Sequence, residues 1–183
     1  METPSNVVEH LPTFCYHPDP VASGVFERQD EECPCCLRVR GWVYIGPSFA
    51  IEELGSICPW CIASGAAVAK YNPEFVDHYA VEPGATAEAL DLLIHRTPSY
   101  WKAMYEPWPV HCGDFCTFLR ELTPTDIDTL GEEIASELKT FQQNMEIPDE
   151  FFAVDLRRDN SPLTAFLFRC LTCGKYRVNG DYE

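Results

Sequence analysis

The most regular alternation of apolar and polar residues lies in the second half of the chain and predicts a long amphipathic helix. Thr123 is a favourable N-cap, and Pro124 suits the first helical turn. Apolar residues then recur at three- and four-residue steps, at Ile127, Leu130, Ile134, Leu138 and Phe141. The opposite face is acidic, because residues 126–159 hold ten carboxylates and three basic side chains. Such a face is either simply solvated or a docking surface.

Two shorter helices are predicted upstream. Thr86 can cap a helix that runs to about Arg96, where Thr97-Pro98 ends it. The apolar residues Leu90, Leu93 and Ile94 share one face of that helix. An Ala-rich segment over residues 62–70 favours another short helix, although it contains a serine and a glycine.

Strands and turns complete the predicted architecture. β-Branched and aromatic residues predict strands over 39–45 and 163–169, and a turn at 170–176 starts a return strand. The lead-in over 11–32 is broken by prolines, and its aromatic residues Phe14, Tyr16 and Phe26 are expected to lie against the core. Fifteen prolines and ten glycines are spread along the chain, which keeps the elements short. We therefore predict a loop-rich α+β fold with zinc-ribbon-like β-hairpin knuckles and several short helices.

Composition and charge narrow the class of protein. With 46% apolar residues the chain is typical of globular proteins, and it has no apolar run long enough for a membrane helix. The first ten residues lack the basic and apolar regions of a secretory signal, so a cytosolic location is expected. The formal net charge of -16 disfavours binding to nucleic acid. A macromolecular partner is expected to be a basic protein.

Ten cysteines supply the candidate chemistry. In a reducing cytosol, paired cysteines indicate a metal site more often than a disulfide. Three pairs have CxxC spacing: Cys33/Cys36, Cys58/Cys61 and Cys170/Cys173. The distance between the first two pairs is close to that of a zinc ribbon, so Cys33, Cys36, Cys58 and Cys61 are predicted to form one four-cysteine site.

The second site is assigned by elimination to Cys112, Cys116, Cys170 and Cys173. The i,i+4 spacing of Cys112 and Cys116 suggests that both lie on one face of a helix. A different pairing of the CxxC units is also compatible with the spacing. His111 can replace a sulfur, orient a ligand, or simply lie near the core. Among the other cysteines, Cys35 can substitute for Cys36, and Cys15 is expected to be buried.

Two Zn²⁺ ions in a single domain over 1–183 are therefore expected, one in a knuckle region over 30–70 and one in a helical and terminal-hairpin region over 84–183. Iron–sulfur clusters need the same ligands, but knuckles that contain proline or glycine favour zinc. The Cys58-Pro59-Trp60-Cys61 unit resembles a thiol-redox motif without the βαβ pattern expected after it. No set of residues for catalysis is evident, and a structural role for both sites is predicted.

Several motifs together resemble the bacterial CbrC family over nearly the whole chain. They are Leu11-Pro12-Thr13-Phe14, Tyr16-His17-Pro18-Asp19-Pro20, Cys33-Pro34-Cys35-Cys36, Ile57-Cys58-Pro59-Trp60-Cys61-Ile62-Ala63, Arg96-Thr97-Pro98, His111-Cys112-Gly113-Asp114 with Cys116, and Phe168-Arg169-Cys170 with Cys173-Gly174. Leu37 departs from the pattern, since knuckles often carry glycine there. The resemblance implies a zinc-binding bacterial protein of the cytosol, and the family is named for tolerance to a colicin, a protein toxin.

Two functions follow as hypotheses. The first is a non-catalytic protein of tolerance or immunity type that binds a basic protein such as a toxin, because complementary charge speeds capture. The second is an enzyme that acts on a small molecule in a pocket near Tyr100–Trp108 and His111, with zinc in a structural role. A solid core at that position would argue against the second.

Overall fold

The computed structural model describes residues 10–100, 108–158 and 161–182, and within these ranges the chain has the predicted α+β class. The helices are α1 (Pro59–Ala63), α2 (Ala66–Tyr71), α3 (Ala87–Arg96), α4 (Pro124–Asn144) and α5 (Asp149–Asp155). The strands are β1 (Phe26–Glu27), β2 (Glu32–Cys33), β3 (Arg38–Val39), β4 (Val43–Tyr44), β5 (Val110–His111), β6 (Asp114–Phe115), β7 (Thr117–Glu121), β8 (Leu163–Arg169) and β9 (Tyr176–Tyr182). None of the helices in the described part of the chain is both long enough and apolar enough to cross a bilayer.

One antiparallel sheet of three strands, in the order β7-β8-β9, forms the largest regular unit. Phe168 of β8 lies opposite Phe118 on one side and Arg177 on the other. Helix α4 packs against β9 and covers one face of the sheet with Ile134 and Phe141, which are buried. Among the described residues, three short antiparallel ladders, β1-β4, β2-β3 and β5-β6, lie outside this sheet.

The helices with strong local signals form where they are predicted. Thr86 caps α3 by accepting a hydrogen bond from the amide of Ala89. Thr123 and Asp126 form a capping box at the start of α4, whose dihedral angles are interrupted at Gly131. Strand β8 has the predicted bounds, whereas α5 has no counterpart in the sequence prediction.

Glycines divide two of the predicted elements. The strand expected over 39–45 is split into β3 and β4, because Gly41 has a φ of 72° that extended backbone does not allow. Likewise, the helix expected over 62–70 becomes α1 and α2, separated at Gly65, whose φ is 77°. Glycine adopts these left-handed conformations without the steric cost that a Cβ atom imposes.

The helix suggested by the spacing of Cys112 and Cys116 is wrong. His111 pairs with Asp114 across a two-residue hairpin between β5 and β6. Cys112 and Gly113 have φ values of 56° and 81°, as the central residues of a type I′ turn require. Because a strand rises about 3.3 Å per residue, Cys116 is carried away from the turn instead of returning to the same face.

Buried apolar residues form three clusters in the described part of the chain. The first surrounds Cys33, Cys58 and Cys61, the second joins Trp108 and Phe115 to the sheet, and the third lies between α4 and the sheet. The expected burial of Phe14, Tyr16 and Phe26 is confirmed. The expected burial of Cys15 is wrong, because its neighbours Phe14 and Tyr16 face inward and leave its side chain exposed. Residues 101–107 of the aromatic segment lie outside the described residues.

His17 is the most deeply buried ionisable side chain of the lead-in. Its exposed fraction is 0%, its Nδ1 lies 3.1 Å from the carbonyl oxygen of Pro98, and its ring packs edge-on against Phe118. No hydrogen-bond partner of its Nε2 is found among the described residues. Burial lowers the pKa of His17 from 6.5 to about 4, and hydrogen bonding to backbone carbonyls only partly opposes this shift. The imidazole is therefore neutral in the folded protein at neutral pH.

We predict that acid destabilises the fold in part through His17. Between about pH 6.5 and 4 the unfolded chain binds a proton that the folded chain excludes, so the free energy of unfolding decreases as the pH falls. Over this pH range, the titration of His17 alone lowers the free energy of unfolding by about 3 kcal/mol. Denaturant titrations from pH 7.5 to 4.5 on the wild type and on His17→Gln measure it, and the variant should show a shallower pH dependence. Parallel curves would contradict the prediction, because all other acid-sensitive groups are common to both proteins.

Candidate metal centres

The first candidate centre joins two turns that follow one another along the chain. Cys33 ends β2, and the turn to β3 brings Cys36 back beside it, with the amide of Leu37 donating 2.8 Å to the carbonyl oxygen of Cys33. Leu37 has a φ of 57°, so this leucine adopts the conformation for which glycine is usual. Cys58 is the N-cap of α1, and Cys61 lies in its first turn.

Helix α2 braces the first of these turns. The Lys70 ammonium donates to the carbonyl oxygen of Pro34 at 2.7 Å, and the Tyr71 hydroxyl donates to the same oxygen at 3.1 Å. Both contacts reach the Cys33-Pro34-Cys35-Cys36 segment from residues more than thirty positions later. The position of the two sulfurs is thus fixed by tertiary contacts as well as by the local turn.

The four sulfurs of Cys33, Cys36, Cys58 and Cys61 all lie within 4.8 Å of one another. The Sγ atoms of Cys33 and Cys61 are 3.8 Å apart, and so are those of Cys36 and Cys58. A disulfide bond is about 2.05 Å long, so these pairs are not bonded to each other. Sulfurs placed about 2.3 Å from a central zinc ion at tetrahedral angles are about 3.8 Å apart, which agrees with both distances.

Hydrogen bonds favour a negative charge on one sulfur of the first centre. The Cys58 thiol and the amides of residues 58, 36 and 35 donate to Cys33, which lowers the pKa of Cys33 to about 4 despite its burial. The same contact with Cys33, together with burial, raises the pKa of Cys58. Burial is the main cause of the raised pKa of Cys61. Four thiolates can therefore coexist here only beside a cation.

The second candidate centre draws its groups from two hairpins. His111 and Cys112 lie at the β5-β6 turn, and Cys170 and Cys173 lie at the turn between β8 and β9. The Nδ1 atom of His111 is 3.2 Å from the sulfur of Cys112 and 3.3 Å from that of Cys173. All four candidate ligand atoms lie within 4.8 Å of one another. A sulfur and a nitrogen bound to one tetrahedral zinc ion are about 3.5 Å apart.

Hydrogen bonds also favour a negative charge on one sulfur of the second centre, that of Cys170. Burial opposes ionisation of Cys170, but the amide of Cys173 and the side chain of His111 outweigh it and lower the pKa of Cys170 to about 6. The hydrogen bond with the Cys173 sulfur is the largest cause that raises the pKa of Cys112, to about 11. A metal ion would displace the remaining thiol protons.

The structure thus places the predicted cysteines in two groups. It brings together the two early CxxC pairs, and it sets Cys112 beside the terminal pair Cys170/Cys173. Cys116 is outside the second group, and His111 is in its place. Cys116 is buried in the apolar cluster with Trp108, whose indole Nε1 donates to its carbonyl oxygen, and burial raises the pKa of its thiol to about 12. The sequence signal for a hairpin was the Cys112-Gly113 dipeptide, because glycine readily adopts the left-handed conformation of a two-residue turn.

The two centres differ in accessibility. In the first, Cys33, Cys58 and Cys61 are buried. In the second, Cys112 and Cys173 are exposed. A cavity of about 420 Å³ adjoins it, with Glu133 and Glu137 of α4 in its lining. The first centre is part of a core, whereas the second lies at the surface.

Cys35 and a surface group of three polar residues are not assigned as metal ligands. Cys35 is partly buried against the first apolar cluster and does not join the four sulfurs that converge. Glu74, Asp77 and His78 also have ligand atoms within 4.8 Å of one another. Their atoms make ordinary hydrogen bonds, since the Nδ1 atom of His78 is 2.6 Å from Glu74 and the amide of Tyr79 donates to Asp77. We do not assign a metal to that surface group.

The two convergent sets fit a thiophilic metal ion. Thiolate and imidazole are donors typical of zinc, and tetrahedral four-ligand sets of this kind hold structural zinc. Each set supplies four protein atoms and so can complete the coordination without a substrate or water. The cysteine clusters of this chain are therefore compatible with zinc binding at two places.

Comparison with known proteins identifies the family. The family model described as "Uncharacterised protein family (UPF0167)" matches residues 11–182. The chain is 35% identical over 179 residues to the UPF0167 protein Mb2317 of Mycobacterium bovis, with 95% of each chain covered. It is 36% identical over 176 residues to the UPF0167 protein PA1536 of Pseudomonas aeruginosa, covering 94% of this chain and 97% of that protein. No solved structure shows significant similarity. The chain belongs to the UPF0167 family.

Proposed function

We propose that this protein holds two structural zinc ions and is a non-catalytic binding protein of tolerance or immunity type, which engages a basic protein such as a toxin in the bacterial cytosol. The convergence of two four-ligand sets with tetrahedral spacing is the observation that supports the zinc sites. The formal net charge of -16 supports a basic partner. The resemblance to the CbrC family supports the link to toxin tolerance.

Zinc would act here by fixing the arrangement of the chain. At the first centre Cys33, Cys36, Cys58 and Cys61 would hold the ion, and at the second His111, Cys112, Cys170 and Cys173 would do so. Bound zinc supplies cross-links between segments that secondary structure alone joins weakly. The ladders at the first centre and at the β5-β6 hairpin have only two residues per strand. Such ladders are only marginally stable without an additional constraint.

The negative surface supports binding more than catalysis. Charge complementarity speeds diffusional encounter and disfavours partners of the wrong sign. The acidic side chains of α4 and α5 are only partly neutralised, by ion pairs such as Arg157–Asp128 and Arg177–Glu137. A basic toxin would be attracted by the residual charge, and nucleic acid would be repelled.

An enzyme that acts on a small molecule is the second candidate, and the cavity beside His111 and Cys173 is the observation in its favour. Two features argue against an enzyme. His111 faces the thiols of the second centre and is thereby engaged as a candidate ligand. Trp108 is fully buried against Phe168, so its side chain belongs to the core rather than to a pocket.

We predict that the native, reduced protein contains two zinc ions and that Cys112→Ser reduces this to one. The substitution removes a ligand at the exposed turn, so the second centre loses its ion while the buried first centre keeps its own. Inductively coupled plasma mass spectrometry on the purified protein measures the ratio. Loss of the second cross-link should also lower the melting temperature by several degrees.

The matched control for the ligand set is Cys116→Ser. The structure places Cys116 outside the converging atoms, so this variant should retain two zinc ions even if burial of a hydroxyl lowers its stability. His111→Ala, like Cys112→Ser, should retain only one zinc ion. Loss of one zinc ion from Cys116→Ser, with two retained in His111→Ala, would reverse the assignment of the fourth ligand.

We further predict salt-dependent binding to a basic toxin. A panel of purified protein toxins with isoelectric points above 9 is tested against the immobilised protein by surface plasmon resonance at low and moderate ionic strength. The association rate should fall about tenfold as salt rises, because screening removes long-range attraction. The absence of binding by every toxin at both ionic strengths would refute the proposed partner class.

A further inference from the structure

A groove on the surface lies between residues 49–51, which separate the two cysteine pairs of the first centre, and residues 71–79, which follow them. An antiparallel β-bridge joins its two walls. The amide of Phe49 donates to the carbonyl oxygen of Glu74 at 2.8 Å, and the amide of Glu74 donates to that of Phe49 at 2.9 Å. The cavity has a volume of about 420 Å³. Its lining includes Phe49, Ile51, Tyr71, Glu74, Asp77 and Tyr79.

The rim of this groove exposes large apolar side chains. Ile51 is 104% exposed and Tyr79 is 85% exposed, the two highest values among the large apolar residues that the structure describes. They lie at the same groove, together with the rings of Phe49 and Tyr71. Aromatic and aliphatic side chains gathered around a depression are typical of the centre of a protein interface.

All the carboxylates at the groove lack a compensating lysine or arginine in the described lining. Glu74 and Asp77 are the acidic residues of the lining, and the Nδ1 atom of His78 lies 2.6 Å from Glu74. Glu52 and Glu53, which follow Ile51 directly, are exposed beside it. Lys70 Nζ lies 5.0 Å from the centroid of the Tyr71 ring and donates to the carbonyl oxygen of Pro34, so the aromatic surface open to a partner is that of Tyr79. The groove therefore combines negative charge with aromatic surface, the two features that bind a basic side chain.

The acidic face of α4 is less suited to the same role. Three carboxylates of α4 are paired with arginines: Asp126 with Arg120, Asp128 with Arg157 and Glu137 with Arg177. The cavity on that side contains Lys175 in its lining and is mainly polar. A partner with both basic and apolar groups is complementary to the groove in charge and in polarity, whereas α4 offers charge alone.

We propose that this groove is the docking site for a basic, apolar segment of the partner protein, in which a lysine or arginine contacts Glu74 and Asp77 while neighbouring aliphatic side chains pack on Ile51 and Tyr79. The inference rests on the proposed function for the identity of the partner as a basic protein. It locates the recognition surface near the first metal centre and away from α4.

The probe for this proposal is the blocked tripeptide acetyl-Leu-Arg-Leu-amide, with acetyl-Leu-Glu-Leu-amide as the charge-reversed control. Titration into ¹⁵N-labelled protein, followed by amide chemical shifts, should perturb residues 49–53 and 72–79 with a dissociation constant of about 1 mM. The acidic peptide should leave these residues unperturbed. Shifts that map to α4, or an equal response to both peptides, would overturn the proposal.

Matched variants test the contribution of the groove residues. Glu74→Gln/Asp77→Asn should weaken binding of the arginine peptide about fivefold, as expected for the loss of exposed ion pairs. Ile51→Ser should weaken it through lost apolar contact. The control Glu121→Gln/Glu146→Gln, outside the groove and outside α4 and α5, removes the same number of charges, from two exposed carboxylates, and should bind as the wild type does. Equal weakening by the control would mean that overall charge, and not the groove, attracts the peptide.

The toxin panel separates this inference from the proposed function. If a toxin binds the wild type and both groove variants alike, the groove is not the docking site, and the proposed function stands. If no toxin binds but the arginine peptide occupies the groove, the proposed partner class is wrong while the groove remains a site for basic groups.

Discussion

The constraint on which this fold depends is the crowding of sulfur atoms. Four cysteine sulfurs at the first centre, and three sulfurs with one imidazole nitrogen at the second, lie within 4.8 Å of one another. At 3.8 Å, two unscreened thiolates repel strongly, and hydrogen bonds can support ionisation of only some of them, as the lowered pKa of Cys33 beside the raised pKa of Cys58 indicates. A divalent ion removes this conflict. Two clusters of this kind are what we would expect where the β2-β3 and β5-β6 ladders beside them are only two residues long.

The two centres support different parts of the molecule. The first joins a hairpin turn to α1, and Lys70 and Tyr71 of α2 bond to the same turn, so the position of α2 and of the groove that follows it is coupled to the sulfurs. The second joins the β5-β6 hairpin to the end of the three-stranded sheet. There Arg177 of β9 donates to the carbonyl oxygen of Val110 and also pairs with Glu137 of α4. The β5-β6 hairpin, the sheet and helix α4 thus meet around Arg177.

Sequence alone predicts the elements whose signals are local. Helices α3 and α4 follow from a threonine cap and an apolar repeat, and β8 follows from a continuous apolar run. The same reasoning fails where conformation is set by one glycine, as at Gly41, or by a turn whose residues also suit a helix. Cys112 and Cys116 have helical spacing, yet the left-handed Cys112-Gly113 pair makes a hairpin. Spacing therefore indicated which cysteines to group but could not decide between Cys116 and His111, because that choice depends on the direction of each side chain.

The order of the ligands along the chain has a consequence for biosynthesis. The candidate ligands of the first centre span residues 33–61. All four have therefore been synthesised once about a third of the 183 residues have been translated. The second centre needs Cys173 in addition to His111, and it encloses α4 and α5 in the intervening loop. The entropy of closing the longer loop is only slightly greater. The difference lies in timing: the first cluster can capture an ion on the nascent polypeptide, while the second must wait for most of the sheet to be translated.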